Sequence, residues 1–261
     1  DRYVSYCSRE EKVMALKIEN LTGGYSGINV IKNVNLTIEP GQAVGLIGLN
    51  GAGKSTTIKH LLGLLRMQKG KIILNGVSLT ENPAEFKKMV AYIPETPILY
   101  PELTLKEHLE LVMLTYDLDH DQAWARAKEL CKMFRLENKL DWLPINFSKG
   151  MKQKVMIVTS FLANADLLVI DEPFTGLDPL AVANFIDLVK EAVADQKMVL
   201  MTTHVLAEAQ EAVQTFAVLN NGTIETEGSL NEIRQFYGLK PSDSFDRLYQ
   251  ILNQETVKKH D

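Results

Sequence analysis

The chain has 261 residues, 46% of them hydrophobic, and a formal net charge of −5. That length supports one large domain with its own core, and the acidic balance excludes a general nucleic-acid binder. No apolar run reaches the roughly 18–20 residues of a bilayer-spanning helix, and Cys7 and Cys131 form neither a disulfide framework nor a metal-ligand spacing, so a reducing cytosol is the default compartment.

Residues 1–13, DRYVSYCSREEKV, are charged and aperiodic. They are expected to be a tag-derived or upstream extension before a natural start at Met14, and are set aside. From Leu16, LKIENL and NVIKNVNLTI predict β-strands, and AVGLIG is apolar enough for a strand buried on both faces. It empties into GLNGAGKSTTIKHLLGLL, where Ile58, Leu61, Leu62 and Leu65 fall at helical spacing. KIILNGVSL carries an Asn75-Gly76 turn signal. VAYIPETP then reads as a short strand running out at Glu95, between two prolines. Residues 103–165 predict helices through LTLKEHLELVML, DQAWARAKELCKMF and SKGMKQKVMIVTSFLA. Strand character returns in DLLVID, MVLMTT and the hairpin FAVLNNGTIETEG, turning at Asn221-Gly222. Past Pro241 a short helix places Phe245, Leu248, Tyr249 and Leu252 on one face. The pattern predicts an α/β fold interrupted by a helical insertion.

Two motifs carry chemistry. Gly48 to Ser55, GLNGAGKS, fits G-x-x-x-x-G-K-S after a predicted strand and at the start of a predicted helix, the context a P-loop needs. Its glycines let backbone N–H groups approach phosphate oxygens, Lys54 can reach the β- and γ-phosphates, and Ser55 is the expected Mg²⁺ ligand. LLVIDEP ends a buried strand in two carboxylates. Asp171 supplies the second Mg²⁺-side anchor of a P-loop NTPase, and Glu172 can accept a proton from an attacking water.

The later motifs resemble those of ABC-type ATPases, in that family's order, over about residues 14–228. FSKGMKQK resembles the signature motif, EPFTGLDP the D-loop with Asp178 as its aspartate, and MTTH places His204 at the switch histidine. Tyr25 in GGYSG falls where an aromatic ring stacks on adenine. VAYIPET resembles the loop that carries a glutamine in the family, and here Glu95 takes that position. The signature departs too, with Phe147-Ser148-Lys149-Gly150-Met151 in place of L-S-G-G-Q. The SKGM form resembles the ABC-2 type exporters and, with IPETP, most resembles the Ecs-type ATP-binding subunits.

The resemblance implies a P-loop NTPase core with a mixed sheet, an antiparallel β subdomain and an inserted helical subdomain. The ATPase domain would span 14–237, with the insertion at about 97–165 and a helical tail at 238–261. It implies an ATP-dependent head-to-tail homodimer on the cytoplasmic face of the membrane, driving transmembrane permease subunits, in the direction of export. ATP would contact Tyr25, the P-loop residues Asn50, Gly51, Ala52, Gly53, Lys54, Ser55 and Thr56, and Ser148, Gly150 and Asp178. Glu172, His204 and Glu95 would be catalytic, and Ser55, Glu95 and Asp171 would hold Mg²⁺. Glu95 turns a neutral amide into a third carboxylate near one metal, so the three acids should repel one another and raise a pKa among them when no metal is bound. Tyr100, Leu103 and Leu105 are candidate contacts for the membrane subunits or, equally, ordinary core residues. The alternative function is a soluble ATP-gated regulatory or interaction module with weak ATPase activity.

Overall fold

Three short runs that are apolar almost throughout, AVGLI, LLVID and MVLMT, form adjacent strands in which every residue is buried. The computed structural model describes residues 14–240 and 242–258, and the expected extension at residues 1–13 lies outside the described residues.

In chain order, β1 (Leu16–Tyr25) and β2 (Ile28–Ile38) form an antiparallel pair, and β3 (Ala43–Ile47) leads through the P-loop into α1 (Lys54–Leu61). β4 (Lys69–Leu74), β5 (Val77–Ser78), α2 (Pro83–Lys88) and β6 (Val90–Ile93) follow, then the helices α3 (Leu105–Thr115), α4 (His120–Met133) and α5 (Lys149–Leu162). The chain returns to the sheet in β7 (Leu167–Asp171), α6 (Pro179–Ala194), β8 (Met198–Thr202), α7 (Leu206–Ala209), β9 (Thr215–Asn220) and β10 (Thr223–Gly228). It ends in α8 (Leu230–Phe236) and α9 (Phe245–Lys258).

The main sheet runs β10-β9-β3-β8-β7-β6, parallel except for the β10 edge, and a second sheet, β2-β1-β4-β5, is antiparallel. Strand periodicity divides the core in two. Leu167, Val169 and Leu200 join Ile18, Leu36 and Ile58 in a cluster with the antiparallel sheet and α1. Their neighbours Leu168, Ile170 and Met201 face the opposite way, into a cluster with Leu109, Leu130, Val158 and Phe185 of the helices. Both faces of the central strands are therefore filled, and polar chemistry is left to the strand ends.

The helix predicted through Leu65 stops at Leu61. Gly63, at φ 68°, takes the left-handed position, and Leu64 N–H closes back on the Lys59 carbonyl at 2.8 Å, a Schellman stop. At Asn75-Gly76 and Asn221-Gly222 both turn residues have positive φ, as the turn signals require. α6 is a helix that the sequence pattern does not single out, because the exposed Leu180 lies off the buried stripe and blurs its period. Its local signals are nevertheless present: Asp178 caps it by accepting the Ala181 N–H at 2.9 Å, and Pro179 occupies the first turn. Leu105 is fully buried in the helical cluster, which settles it as a core residue rather than a partner contact, whereas Tyr100 is 60% exposed. No helix among the described residues is long and apolar enough to cross a membrane.

Candidate nucleotide-binding site

The P-loop joins the end of β3 to the start of α1. Gly53 caps α1 at φ 113°, and a Cβ there would stand 2.6 Å from Ile31 Cγ2, so the position admits only glycine without rearrangement. Lys54 is buried, and its ammonium donates to the carbonyls of Gly48 at 2.8 Å and Leu49 at 3.2 Å. Burial lowers its pKa, while the Glu172 and Asp171 carboxylates pull it back up.

The parallel register places Asp171 of β7 opposite Thr202 of β8, and the Thr202 hydroxyl donates to Asp171 Oδ1. Asp171 is 7% exposed. Burial raises its pKa most; the Thr202 bond opposes that, Glu95 adds to it, and Lys54 opposes it. The expected repulsion among carboxylates is thus present at Asp171, but dehydration is the larger cause.

Glu172 sits at φ 47°, left-handed for a residue with a Cβ, a conformation that costs roughly 1–2 kcal/mol. It is held by its own N–H on the Thr202 carbonyl at 3.0 Å. Its Oε2 accepts from the His204 backbone N–H at 3.1 Å and meets His204 Nδ1 at 2.8 Å. A carboxylate offers that ring nitrogen only an acceptor, so Nδ1 carries the proton.

These groups line a single cleft of about 780 Å³ that brings together Tyr25, Asn50, Gly51, Gly53, Lys54, Ser55, Thr56, Glu95, Asp171, Glu172 and His204. Ala52, buried within the P-loop, does not line it. Tyr25 is 41% exposed, and its hydroxyl accepts from Lys59 of α1 at 3.2 Å, tying the ring to the P-loop helix. Ser148, Gly150 and Asp178 do not reach the cleft. Ser148 caps α5 by accepting the Met151 N–H at 3.3 Å, and a Cβ on Gly150 would stand 2.5 Å from the Gly176 carbonyl oxygen. Lys154, one turn into α5, pairs with Asp178 at 2.6 Å, so the segments that resemble the signature and the D-loop are joined within one chain.

Among the described residues, no three His, Cys, Asp or Glu side chains form a metal cage by themselves. Mg²⁺ does not require one. It is held by one or two carboxylates, waters and substrate phosphates, and Ser55, Asp171 and Glu95, which all line the cleft, offer oxygens of that kind.

The sequence profile of the ABC transporter family matches residues 31–175. The ABC-type transporter ATP-binding protein EcsA of Bacillus subtilis (strain 168) is 50% identical over 240 residues, covering 92% of this chain and 97% of that protein. The chain belongs to the ABC transporter ATP-binding family. It is an ATPase of that family. A solved structure of an ATP-binding subunit of an ABC transporter superposes with a TM-score of 0.87 at 45% identity, over 92% of this chain and 100% of that one. A second, a dimeric ATP-binding cassette in a post-hydrolysis state bound to ADP and Pi, gives a TM-score of 0.73 at 27% identity, over 82% of this chain and 98% of that one.

Thr202, Lys59 and Lys154, which the sequence reading gave no role, contact Asp171, Tyr25 and Asp178 respectively. Thr202 directly precedes the Thr203-His204 pair and shares the C-terminal edge with Asp171, which is the signal that could have found it. Tyr249 of α9 also lines the cleft, far along the chain from every motif.

Because folding raises the Asp171 pKa, the folded state favours the neutral acid. Its stabilising contribution is complete below the unfolded pKa and is lost as pH rises through the folded one. Asp171→Asn should therefore melt above wild type at about pH 8, with the gap closing as pH falls toward about 4. A variant that melts lower at the alkaline end contradicts the assigned burial penalty.

Proposed function

We propose that the chain is the ATP-binding and hydrolysing subunit of a bacterial ABC transporter, working as a head-to-tail dimer on the cytoplasmic face of the membrane. The observation that carries this is the convergence of Lys54, Asp171, Glu172 and His204 on one cleft at the ends of β3, β7 and β8. The ATPase domain spans 14–237 with its helical insertion at about 97–165, and the tail at 238–261 is appended to it.

Tyr25 supplies a platform for adenine. The P-loop residues from Asn50 to Thr56 wrap the phosphates, and Lys54 turns from the Gly48 and Leu49 carbonyls to the β- and γ-phosphates. Ser148 and Gly150, remote from this cleft, close over the terminal phosphate of a second copy, and Asp178 lies at the same seam. Such a composite site explains why Ser148 and Gly150 do not line the P-loop cleft of their own chain. Glu172 orients the attacking water and takes its proton, and His204 holds the Glu172 carboxylate through ring and backbone. Ser55, Asp171 and Glu95 would hold Mg²⁺, which when bound neutralises charge on the phosphate oxygens.

Transmembrane permease subunits are the partners. The loop beyond Glu95 exposes Ile98 and Tyr100, and Tyr100 N–H bonds His108 Nε2 of α3 at 3.0 Å, linking that loop to the helical insertion. Movement at the metal-side carboxylate can therefore reach an apolar surface. Export is the direction implied by the SKGM signature.

Replacing Lys54 with alanine should abolish ATP binding, whereas Glu172→Gln should keep binding and lower turnover about 10²–10⁴-fold. Turnover that survives Glu172→Gln would remove it as the base. For Glu95, the titration of ATP binding with Mg²⁺ is the check: Glu95→Gln should need more Mg²⁺ for half-saturation, and superimposable curves would take Glu95 out of the metal site.

A further inference from the structure

Three residues on one face of the P-loop helix meet the end of β1. Thr56, Lys59 and His60 are spaced i, i+3 and i+4, so they lie side by side on α1. Thr56 lines the nucleotide cleft, Lys59 donates to the Tyr25 hydroxyl, and His60 packs against the same strand two residues earlier, at Gly23. His60 is fully buried, and its Nδ1 lies 2.8 Å from the Thr56 carbonyl oxygen. A carbonyl only accepts, so Nδ1 carries a proton and the bond sets the plane of the ring. The other edge of the ring faces Gly23. A Cβ on Gly23 would stand 2.3 Å from His60 Nε2, 3.0 Å from Cε1 and 3.1 Å from Cδ2, so the imidazole occupies the space a side chain there would need.

Filling that space does not by itself call for a histidine. Nε2 is shielded from solvent and has no hydrogen-bond partner among the described residues, a cost that a leucine of similar size would avoid. What leucine lacks is the bond to Thr56 that holds the ring against rotation. The strand needs a fixed stop at this point. Its ladder to β2 slips register between Leu21 and Gly23 and again between Gly23 and Gly24, so strand pairing alone does not fix where Tyr25 stands. The imidazole supplies the missing constraint, and it is referenced to a carbonyl in the first turn of the helix that begins at Lys54.

We propose that His60 is a positioning residue for the nucleotide, setting Tyr25 at a fixed distance from the P-loop so that base and phosphates are gripped together. The inference rests on the reading of Tyr25 as the adenine platform. His60 does not line the cleft; it acts through Gly23 and Thr56. Lys59 holds the outer rim of the Tyr25 ring by its hydroxyl, and His60 holds the backbone from which the ring projects. Loosening His60 therefore removes part of the contribution of the base and leaves phosphate binding intact.

The test is calorimetric titration of full-length wild type, His60→Leu, Gly23→Ala, Tyr25→Ala and the double variant His60→Leu/Tyr25→Ala with a non-hydrolysable ATP analogue and Mg²⁺. Inorganic tripolyphosphate, which has no base, is read by its competition for the same site. Tyr25→Ala should bind the analogue about tenfold to a hundredfold more weakly, as the loss of stacking on one base predicts, and His60→Leu about threefold to tenfold. Neither should weaken tripolyphosphate. His60→Leu should cost nothing further once Tyr25 is replaced, because both changes act on one contact. Gly23→Ala presses on the ring from the strand side; it should repeat the selective loss, and it decides the matter if His60→Leu does not fold. Unchanged affinity for the analogue, equal weakening toward both ligands, or a loss that adds to that of Tyr25→Ala overturns the proposal. If Tyr25→Ala weakens the analogue while His60→Leu and Gly23→Ala match wild type, only the role of His60 fails. If Tyr25→Ala itself binds the analogue as wild type does, the platform reading falls and the proposal with it.

Discussion

The parallel ladder β3-β8-β7 is the constraint from which the site follows. Its strands are buried on both faces, so no polar side chain can sit along them without losing hydration. Chemistry is displaced to the C-terminal edge, where Gly48 follows β3, Asp171 ends β7 and Thr202 ends β8. The register that pairs Asp171 with Thr202, and Leu46 with Thr202 on the other side, brings residues far apart in sequence to one rim.

At that rim the protein holds opposite charges in a partly dehydrated setting. Lys54 is depressed and Asp171 raised by the same burial, so each charge is poorly solvated until a ligand completes its surroundings. Nucleotide phosphates would give Lys54 better partners than backbone carbonyls, and a divalent cation would do the same for Asp171. Glu172 adds backbone strain, offset by its bonds to Thr202 and His204. A site that is costly when empty and satisfied when filled is well suited to coupling ligand binding to movement.

Much of this was legible in the sequence because the motifs are local. G-x-x-x-x-G-K-S between a strand and a helix fixes its own geometry, and an apolar run ending in Asp171-Glu172 announces a strand edge. What was not legible depends on tertiary contact. Leu105 and Tyr100 carry similar local signals, yet packing buries one and exposes the other. α6 blends into a broadly apolar stretch and is marked only by Asp178 and Pro179. Thr202 becomes significant through register, and Tyr249 lines the cleft from a helix far along the chain from every motif. Ser148 and Gly150 lie outside the cleft of their own chain, and their place becomes intelligible only with a second copy.

That second copy is the central claim. The most direct measurement is the solution mass of Glu172→Gln by light scattering, with and without ATP and Mg²⁺. The account predicts a monomer without nucleotide and a dimer of twice the mass with ATP and Mg²⁺, because blocked hydrolysis traps two chains around shared nucleotide. A protein that binds ATP fully yet keeps its monomer mass would contradict the composite site.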